Sequence, residues 1–205
     1  MDKRVIISDL DGTLGDYGHR EHLYKDRNYT EFNKQGINDK PIESICNILR
    51  RLKDDDTEIV VITAREETER KMTEKWLNLN DIPFDKLLMR GIGDNRSDWD
   101  VKEKLFTDNY DYREIWFVLE DRKGCVDMWR GQGLNCLRLK GNDIELNGQK
   151  VARVFHVAGT LRDQLEKTIT QINTEPADKN KFYQDAYREG WQDGYNKGMK
   201  GAVDG

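Results

Sequence analysis

The sequence predicts an α/β fold: a mostly parallel central sheet flanked by helices. Three observations predict it. Short β-branched apolar runs alternate with helical stretches, and that alternation builds right-handed strand-helix-strand crossovers. The runs are too short for helices and apolar throughout, like strands covered on both faces. Three of them end in acids or anion-binding groups, which such a fold gathers along the carboxyl edge of its sheet.

The first strand comes from Val5-Ile6-Ile7-Ser8 and ends in Asp9-Leu10-Asp11-Gly12-Thr13. Carboxylates spaced i, i+2 leave a strand on one face. They repel each other, and burying either is costly unless a cation or hydrogen bonds compensate. The expected partner is a hard divalent ion with oxygen ligands, Mg²⁺, beside an incoming phosphate. Gly12 and Thr13 let the chain turn sharply and offer backbone and hydroxyl groups to an anion. A plain Asp-Gly turn would read the same in isolation, so the remaining chain decides.

Residues 15–40 are polar and aromatic, with Asp16, Tyr17, His19, Arg20, His22, Tyr24 and Tyr29 crowded together. Such a segment reads as a small cap-like insertion over the site. For His19, Arg20 and His22, substrate contact and local hydrogen bonding in a solvated loop stand level.

Pro41 opens a helix with Ile42, Ile45, Ile48, Leu49 and Leu52 on one face, closed by Asp54-Asp55-Asp56. A second strand, Glu58 to Ile62, ends in Thr63-Ala64-Arg65, and the acids that follow start a helix over Glu66 to Leu79. A hydroxyl and a guanidinium beside a helix N-terminus make a phosphate-binding combination, although Thr63 alone would also serve as an N-cap. Phe84 to Met89 forms the third strand, after which Arg90-Gly91-Ile92-Gly93-Asp94-Asn95-Arg96 is a polar loop. Ser97 or Asp98 caps the next helix, which runs to Asn109 with Val101, Leu105 and Phe106 on its apolar face. Lys102 sits near the start of that helix, where the dipole disfavours a cation; a negative charge opposite it would explain the placement. Ile115 to Leu119 is the fourth strand and ends in Glu120-Asp121-Arg122. A helix with Val126, Met128 and Trp129, closed by Gly131 and Gly133, leads to a fifth strand, Leu134 to Leu139.

This core spans residues 1–140. In 141–175, Asn147-Gly148 between alternating runs signals a β-hairpin, and Leu161, Leu165, Ile169 and Ile172 mark a helix. In 176–205, Gly190, Gly194 and Gly198 recur beside Tyr183, Tyr187, Trp191, Tyr195 and Met199. As a helix, this tail would set a small-residue groove beside an aromatic ridge, a surface for self-association or another partner. Glycine's helix penalty supports the alternative of a poorly ordered tail.

Composition narrows the classes. Charged residues make up 36% of the 205 and the net charge is −5, which argues against a broadly basic nucleic-acid-binding surface and leaves room for a local patch. No apolar run is long enough to span a bilayer and no secretory leader stands at the N-terminus, so the expectation is a soluble, cytoplasmic protein without membrane partners. Cys46, Cys125 and Cys136 are scattered and unpaired in spacing, which suggests small buried hydrophobes rather than disulfides or a zinc site.

Asp9-Leu10-Asp11-Gly12-Thr13, then Thr63, Lys102 and Glu120-Asp121 stand in the order and type of the four motifs of the haloacid dehalogenase (HAD) superfamily, and the chain resembles its phosphatases over the core. A Rossmann-like HAD fold is implied. Arg90 to Lys104, with Gly93-Asp94-Asn95-Arg96 and Asp98 ahead of Lys102, is similar more narrowly to the 3′-phosphatase domain of phage T4-type polynucleotide kinase. So is Glu120-Asp121-Arg122 followed by Val126-Asp127-Met128-Trp129-Arg130, apart from Glu120 where that type has aspartate. No G-x-x-x-x-G-K-[ST] loop occurs in this sequence, so the expectation is a free-standing phosphatase relative, acting in a host cytoplasm if phage-encoded.

The resemblance implies that Asp9 is the nucleophile and carries an aspartyl-phosphate, while Asp11 is the general acid and base. Thr63 and Lys102 would hold the phosphoryl oxygens. Mg²⁺ would be bound by Asp9, Asp121 and the backbone carbonyl of Asp11, with Glu120 orienting Lys102 or a metal-bound water. Thr13, Arg65, Arg96 and Arg122 are the candidate substrate contacts. The implied substrate is a nucleotide or a nucleic-acid 3′-phosphate end. The alternatives are a phosphatase of free nucleoside monophosphates or other small metabolites, and, in another class, an adaptor that uses the tail on a HAD scaffold.

Overall fold

In the computed structural model, residues 4–140, 143–146 and 149–153 are described. The strands are β1 (Arg4–Ser8), β2 (Gly15–Asp16), β3 (Lys40–Pro41), β4 (Thr57–Glu66), β5 (Lys86–Arg90), β6 (Ile115–Glu120), β7 (Cys136–Lys140), β8 (Asp143–Leu146) and β9 (Gln149–Arg153). The α-helices are α1 (Glu21–Lys25), α2 (Tyr29–Lys34), α3 (Glu43–Leu52), α4 (Arg70–Leu79), α5 (Asp98–Thr107) and α6 (Lys123–Gly131). The main sheet runs β5-β4-β1-β6-β7-β8-β9. Its first five strands are parallel and the last two antiparallel. This is the α/β architecture the sequence predicts.

Alternate residues of each central strand feed opposite faces. Ile6, Ile59, Val61, Phe117 and Leu119 pack with Ile45 and Leu49 of α3 and with Trp76 and Leu77 of α4. Ile7, Val60, Ile62 and Val118 pack with Phe106 of α5 and with Val126, Met128 and Trp129 of α6. Each fully buried side chain of this size stabilises the fold by about 1.5–3 kcal/mol, enough in aggregate to hold like charges together at the sheet's edge. The chain builds outward from β1 through β4 to β5, then returns beside β1 as β6 and continues to β7. The reversal lies between β1 and β6. Folds of this kind open a crevice there, beyond the strand carboxyl ends.

The structure departs from the sequence expectation most where the insertion closes and where β4 ends. Pro41 does not open a helix: it lies in β3, which pairs with β2 and closes the insertion on a short two-stranded stem, and α3 starts at Glu43. An edge strand tolerates a proline because no ladder hydrogen bond needs its missing N–H. β4 runs on through Thr63-Ala64-Arg65 to Glu66, because pairing of Glu66 with Arg90 of β5 keeps the backbone extended. The helix expected from Glu66 therefore begins at Arg70, after a single 3₁₀ turn over Glu67–Glu69. Finally, the hairpin strands β8 and β9 extend the main sheet, with β8 pairing against β7.

The helix expected near 161–172 and the glycine-aromatic tail lie outside the described residues. Among the described residues, no helix is long and apolar enough to cross a membrane.

Candidate active site

Asp9 follows the last residue of β1, and its backbone N–H donates to the Leu119 carbonyl of β6 at 2.9 Å. That bond sets Asp9 beside Glu120 and Asp121, one strand over. Ligand oxygens of these three acids lie within 4.8 Å of one another. From α5, the Lys102 ammonium donates to Asp9 Oδ1 at 2.6 Å and to Glu120 Oε2 at 2.7 Å, with its side chain almost wholly buried. Burial alone would lower the pKa of Lys102, but the charges of Asp9 and Glu120 raise it well above the ordinary value. It is therefore an ammonium. The negative charge that its position near a helix start calls for is present.

One ammonium does not balance three carboxylates. Burial, then the charges of Asp9 and Glu120, push the Asp121 carboxyl up to about 8, and burial with the Asp9 charge raises Glu120. A divalent cation would relieve that repulsion, and an all-oxygen donor set suits Mg²⁺. The loop is shaped to admit Asp121. Gly12 has φ +90°, and a Cβ on it would stand 2.3 Å from Asp121 Oδ2. Only glycine fits both the backbone and the space.

Asp11 does not join that cluster. Arg65 donates to it from Nε at 2.9 Å and from Nη2 at 2.6 Å, and Arg20 Nη2 makes a further short bond to it. Partial burial raises its pKa, but Arg65 and then Arg20 outweigh that and hold the carboxyl well below the usual carboxylate range. Both guanidiniums also bind Asp39: Arg20 Nε at 2.7 Å, Arg20 Nη2 by another short bond, and Arg65 Nη2 at 3.2 Å. His19 Nε2 lies 2.9 Å from the same carboxylate. The guanidinium of Arg20 stacks on Phe32 with 3.9 Å to the ring centroid, and Gly36 leaves room for that of Arg65, which a Cβ would approach to 2.7 Å.

The site opens on a cavity of about 560 Å³. Asp9, Asp11, Thr63, Lys102, Glu120 and Asp121 all reach it. Thr63 is buried within β4, and its Oγ1 accepts from the Arg65 N–H at 3.2 Å.

The expected substrate contacts sort differently. Arg96 and Arg122 do lie on the cavity wall, but each is paired, Arg96 with Asp94 and Arg122 with Asp98. Arg65 also reaches the cavity, with its guanidinium held by the carboxylates of Asp11 and Asp39. Thr13 lies apart from these arginines. It is fully buried and absent from the cavity wall, since the Leu10–Gly15 turn, closed by Leu14 N–H to Leu10 C=O at 2.9 Å, rotates it inward.

Sequence reasoning missed Asp39 and the role of Arg90. Asp39 is one acid in a polar stretch, and no spacing pattern singles it out. Arg90 donates to the carbonyls of Ala64, Asp94 and Arg96 at 2.7–2.8 Å and to Asp98 Oδ1 at 2.6 Å, tying the 91–97 loop to the end of β4.

Comparison with known proteins agrees with this geometry. Residues 3–144 match the family described as polynucleotide kinase PNKP phosphatase domain. A chain in the structure of a Pnkp1/Rnl/Hen1 complex is 28% identical with a TM-score of 0.60, over 67% of this chain and 46% of that one. A chain of the Pnkp1/Rnl/Hen1 RNA repair complex is 29% identical at TM-score 0.59, over 67% of this chain and 42% of that one. This chain thus spans less than half the length of those relatives. A predicted phosphatase from Clostridium acetobutylicum shares the fold at 17% identity and TM-score 0.51, over 66% of this chain and 84% of that one. With the family match covering most of the sheet and every acid of the site, the chain belongs to the PNKP phosphatase-domain family of HAD phosphatases, which are phosphoric monoester hydrolases.

Proposed function

We propose that this chain is a Mg²⁺-dependent phosphomonoesterase that removes phosphate from nucleic-acid 3′ ends through an aspartyl-phosphate on Asp9. The observation that carries the reading is the Lys102 ammonium bridging Asp9 and Glu120 on the cavity wall, beside Asp121. An Asp9 oxygen attacks phosphorus as the ester P–O bond breaks, and Asp11 gives a proton to the departing oxygen. Asp11 then takes a proton from water, whose oxygen attacks the same phosphorus; the bond to Asp9 breaks and phosphate leaves. Lys102 and Thr63 hold the phosphoryl oxygens as charge builds on them. Asp11 starts the cycle ionised under Arg20 and Arg65; as the dianionic substrate draws part of that pairing away, Asp11 takes up a proton from solvent, and that proton is the one it passes to the departing oxygen.

Mg²⁺ would be held by Asp9, Asp121 and the Asp11 backbone carbonyl, with Glu120 behind, and when bound it neutralises charge between nucleophile and phosphate. The three-acid cluster and the space at Gly12 fit such an ion. The similarity to chains of an RNA repair complex supports a nucleic-acid end as substrate, as do Arg90, Arg96 and Arg122 on the cavity wall. The acidic balance of the chain, −5, favours the second reading, a free nucleoside monophosphate. Added salt separates the two, because binding of a polyanion weakens steeply with ionic strength.

The test compares phosphate release from 3′-phosphorylated oligonucleotides and from mononucleotides, with Mg²⁺ and with a chelator, by the parent chain and Asp9→Asn. Parent turnover should need Mg²⁺ and favour the oligonucleotide. Asp9→Asn should stay folded, since it eases like-charge repulsion, and lose roughly a thousandfold or more in kcat. Unchanged turnover by Asp9→Asn would remove the nucleophile assignment.

A further inference from the structure

Trp99 has no part in the mechanism above. It is 41% exposed, lines the same cavity, and pairs with no other aromatic ring among the described residues. Leaving an indole in water is unfavourable, and a seat built for it needs a reason. The seat is Gly124, in the first turn of α6. A Cβ there would lie 2.9 Å from Trp99 Cε3 and 3.2 Å from Cζ3, so glycine alone lets the ring settle against the helix.

Its place in the chain matters as much. Trp99 precedes Lys102 by three residues on α5, which puts them on one helix face, a turn apart. Gly124 follows Asp121 by three residues. The indole thus lies between the two segments that deliver the ammonium and the acid to the phosphate. The insertion contributes the exposed rings of Tyr24 and Tyr29 to the same cavity, and the Arg122 guanidinium sits over Tyr24 at 5.3 Å.

We propose that Trp99 is the stacking platform for the base of the terminal nucleotide and makes the enzyme select base-bearing over base-free phosphate ends. The proposal rests on the nucleic-acid-end reading above. A base is flat, its π-face is offered by every nucleotide, and stacking on an aromatic side chain is largely indifferent to sequence. The phosphate anchors one end of the terminal nucleotide and the indole covers the other, so the site reads a nucleotide end without reading its identity.

The experiment measures kcat/KM, in Mg²⁺, for two oligonucleotides that differ only in the 3′-phosphorylated terminal residue: thymidine, or a tetrahydrofuran residue without a base. The enzymes are the full-length parent, Trp99→Ala, Trp99→Leu and Trp99→Phe. The parent should prefer the base-bearing end by about tenfold, within the range of base–aromatic stacking. That ratio should fall toward one in Trp99→Ala and in Trp99→Leu, which keeps apolar bulk without a π-face, and persist in Trp99→Phe. A merely structural tryptophan would change both substrates alike and leave the ratio intact, overturning the stacking role. A parent ratio of one on ends that it does hydrolyse would overturn it too, with the proposed function untouched. A parent that hydrolyses p-nitrophenyl phosphate but neither oligonucleotide would remove the nucleic-acid reading and this proposal together.

Discussion

Replacing Asp39 by alanine should lower the melting temperature by about 6–20 °C. The carboxylate sits between two guanidiniums, and the network of Arg20, Arg65, Asp11 and Asp39 is neutral as a whole. The side chains of Arg20 and Asp39 are fully buried and that of Arg65 nearly so. Removing Asp39 deletes three arginine donations and leaves one uncompensated positive charge away from water. Breaking a buried ion pair from one side costs about 3–5 kcal/mol. For a chain of this size each kcal/mol is about 2–4 °C, which gives the range above. Circular-dichroism melts and urea titrations of the full chain measure it. The distinguishing variant is the double replacement Arg20→Met with Asp39→Leu. It leaves Arg65 paired with Asp11, so the double variant should be more stable than Asp39→Ala despite carrying two changes. Strictly additive single effects, or an Asp39→Ala loss within about 1 kcal/mol, would refute the claim that the four groups act as one network.

Three further outcomes are expected. Gly12→Ala and Gly93→Ala both force a side chain into positive φ, but only the first places a Cβ against Asp121 while the second meets open space. Both should lose about 1–3 kcal/mol from backbone strain, and Gly12→Ala alone should also weaken Mg²⁺-induced thermal stabilisation; equal Mg²⁺ responses would show that Asp121 does not depend on that glycine. Burial pushes the thiols of Cys46 and Cys125 up to about 12 and that of Cys136 well above the ordinary value of 9.0. The folded chain therefore keeps protons that the unfolded chain releases above about pH 9, so stability should fall as pH rises from there toward 12. Consistently, the native protein should resist thiol reagents at pH 8; fast labelling without denaturant would contradict the burial.

The strand ends were legible because their chemistry is carried by residue type and spacing. Two acids at i, i+2 after an apolar run specify a charged face wherever the strand goes, and Asp9 indeed meets Asp121 across β1 and β6. Lys102 was legible because a lysine at a helix start works against the dipole and calls for an anion, which Asp9 and Glu120 supply. Arginines are another matter. A guanidinium reaches far and binds whichever carboxylate the tertiary fold brings near, so nothing local distinguishes Arg65, buried against Asp11 and Asp39, from Arg96, exposed and paired with Asp94. The same limit explains β4: its extension to Glu66 depends on the partner strand, not on its own residues. The burial of Thr13 was not legible either, because a one-residue rotation within a tight turn decides whether its side chain faces the cavity or the core, and the closed turn at Leu10 fixes it.

The insertion between β2 and β3 differs in kind from a lid laid over a finished site. Arg20 and Asp39 both belong to it, one near each end, and both are fully buried as side chains. Arg20 reaches out of the insertion to Asp11, while Asp39 holds Arg65, which comes from β4. The main chain is tied in as well, since the Asp39 carbonyl accepts from Trp76 Nε1 of α4 at 2.9 Å. Asp11 is thereby positioned by charges from two separate parts of the chain, bridged through Asp39. A cap with only apolar, peripheral contacts could be exchanged without removing a charge from the catalytic strand. Here, exchanging the segment would remove a buried cation and a buried anion from around Asp11 at once. The insertion is thus tied to the core through Arg20 and Asp39, and the stem formed by β2 and β3 lets so short a segment return with both charges in place.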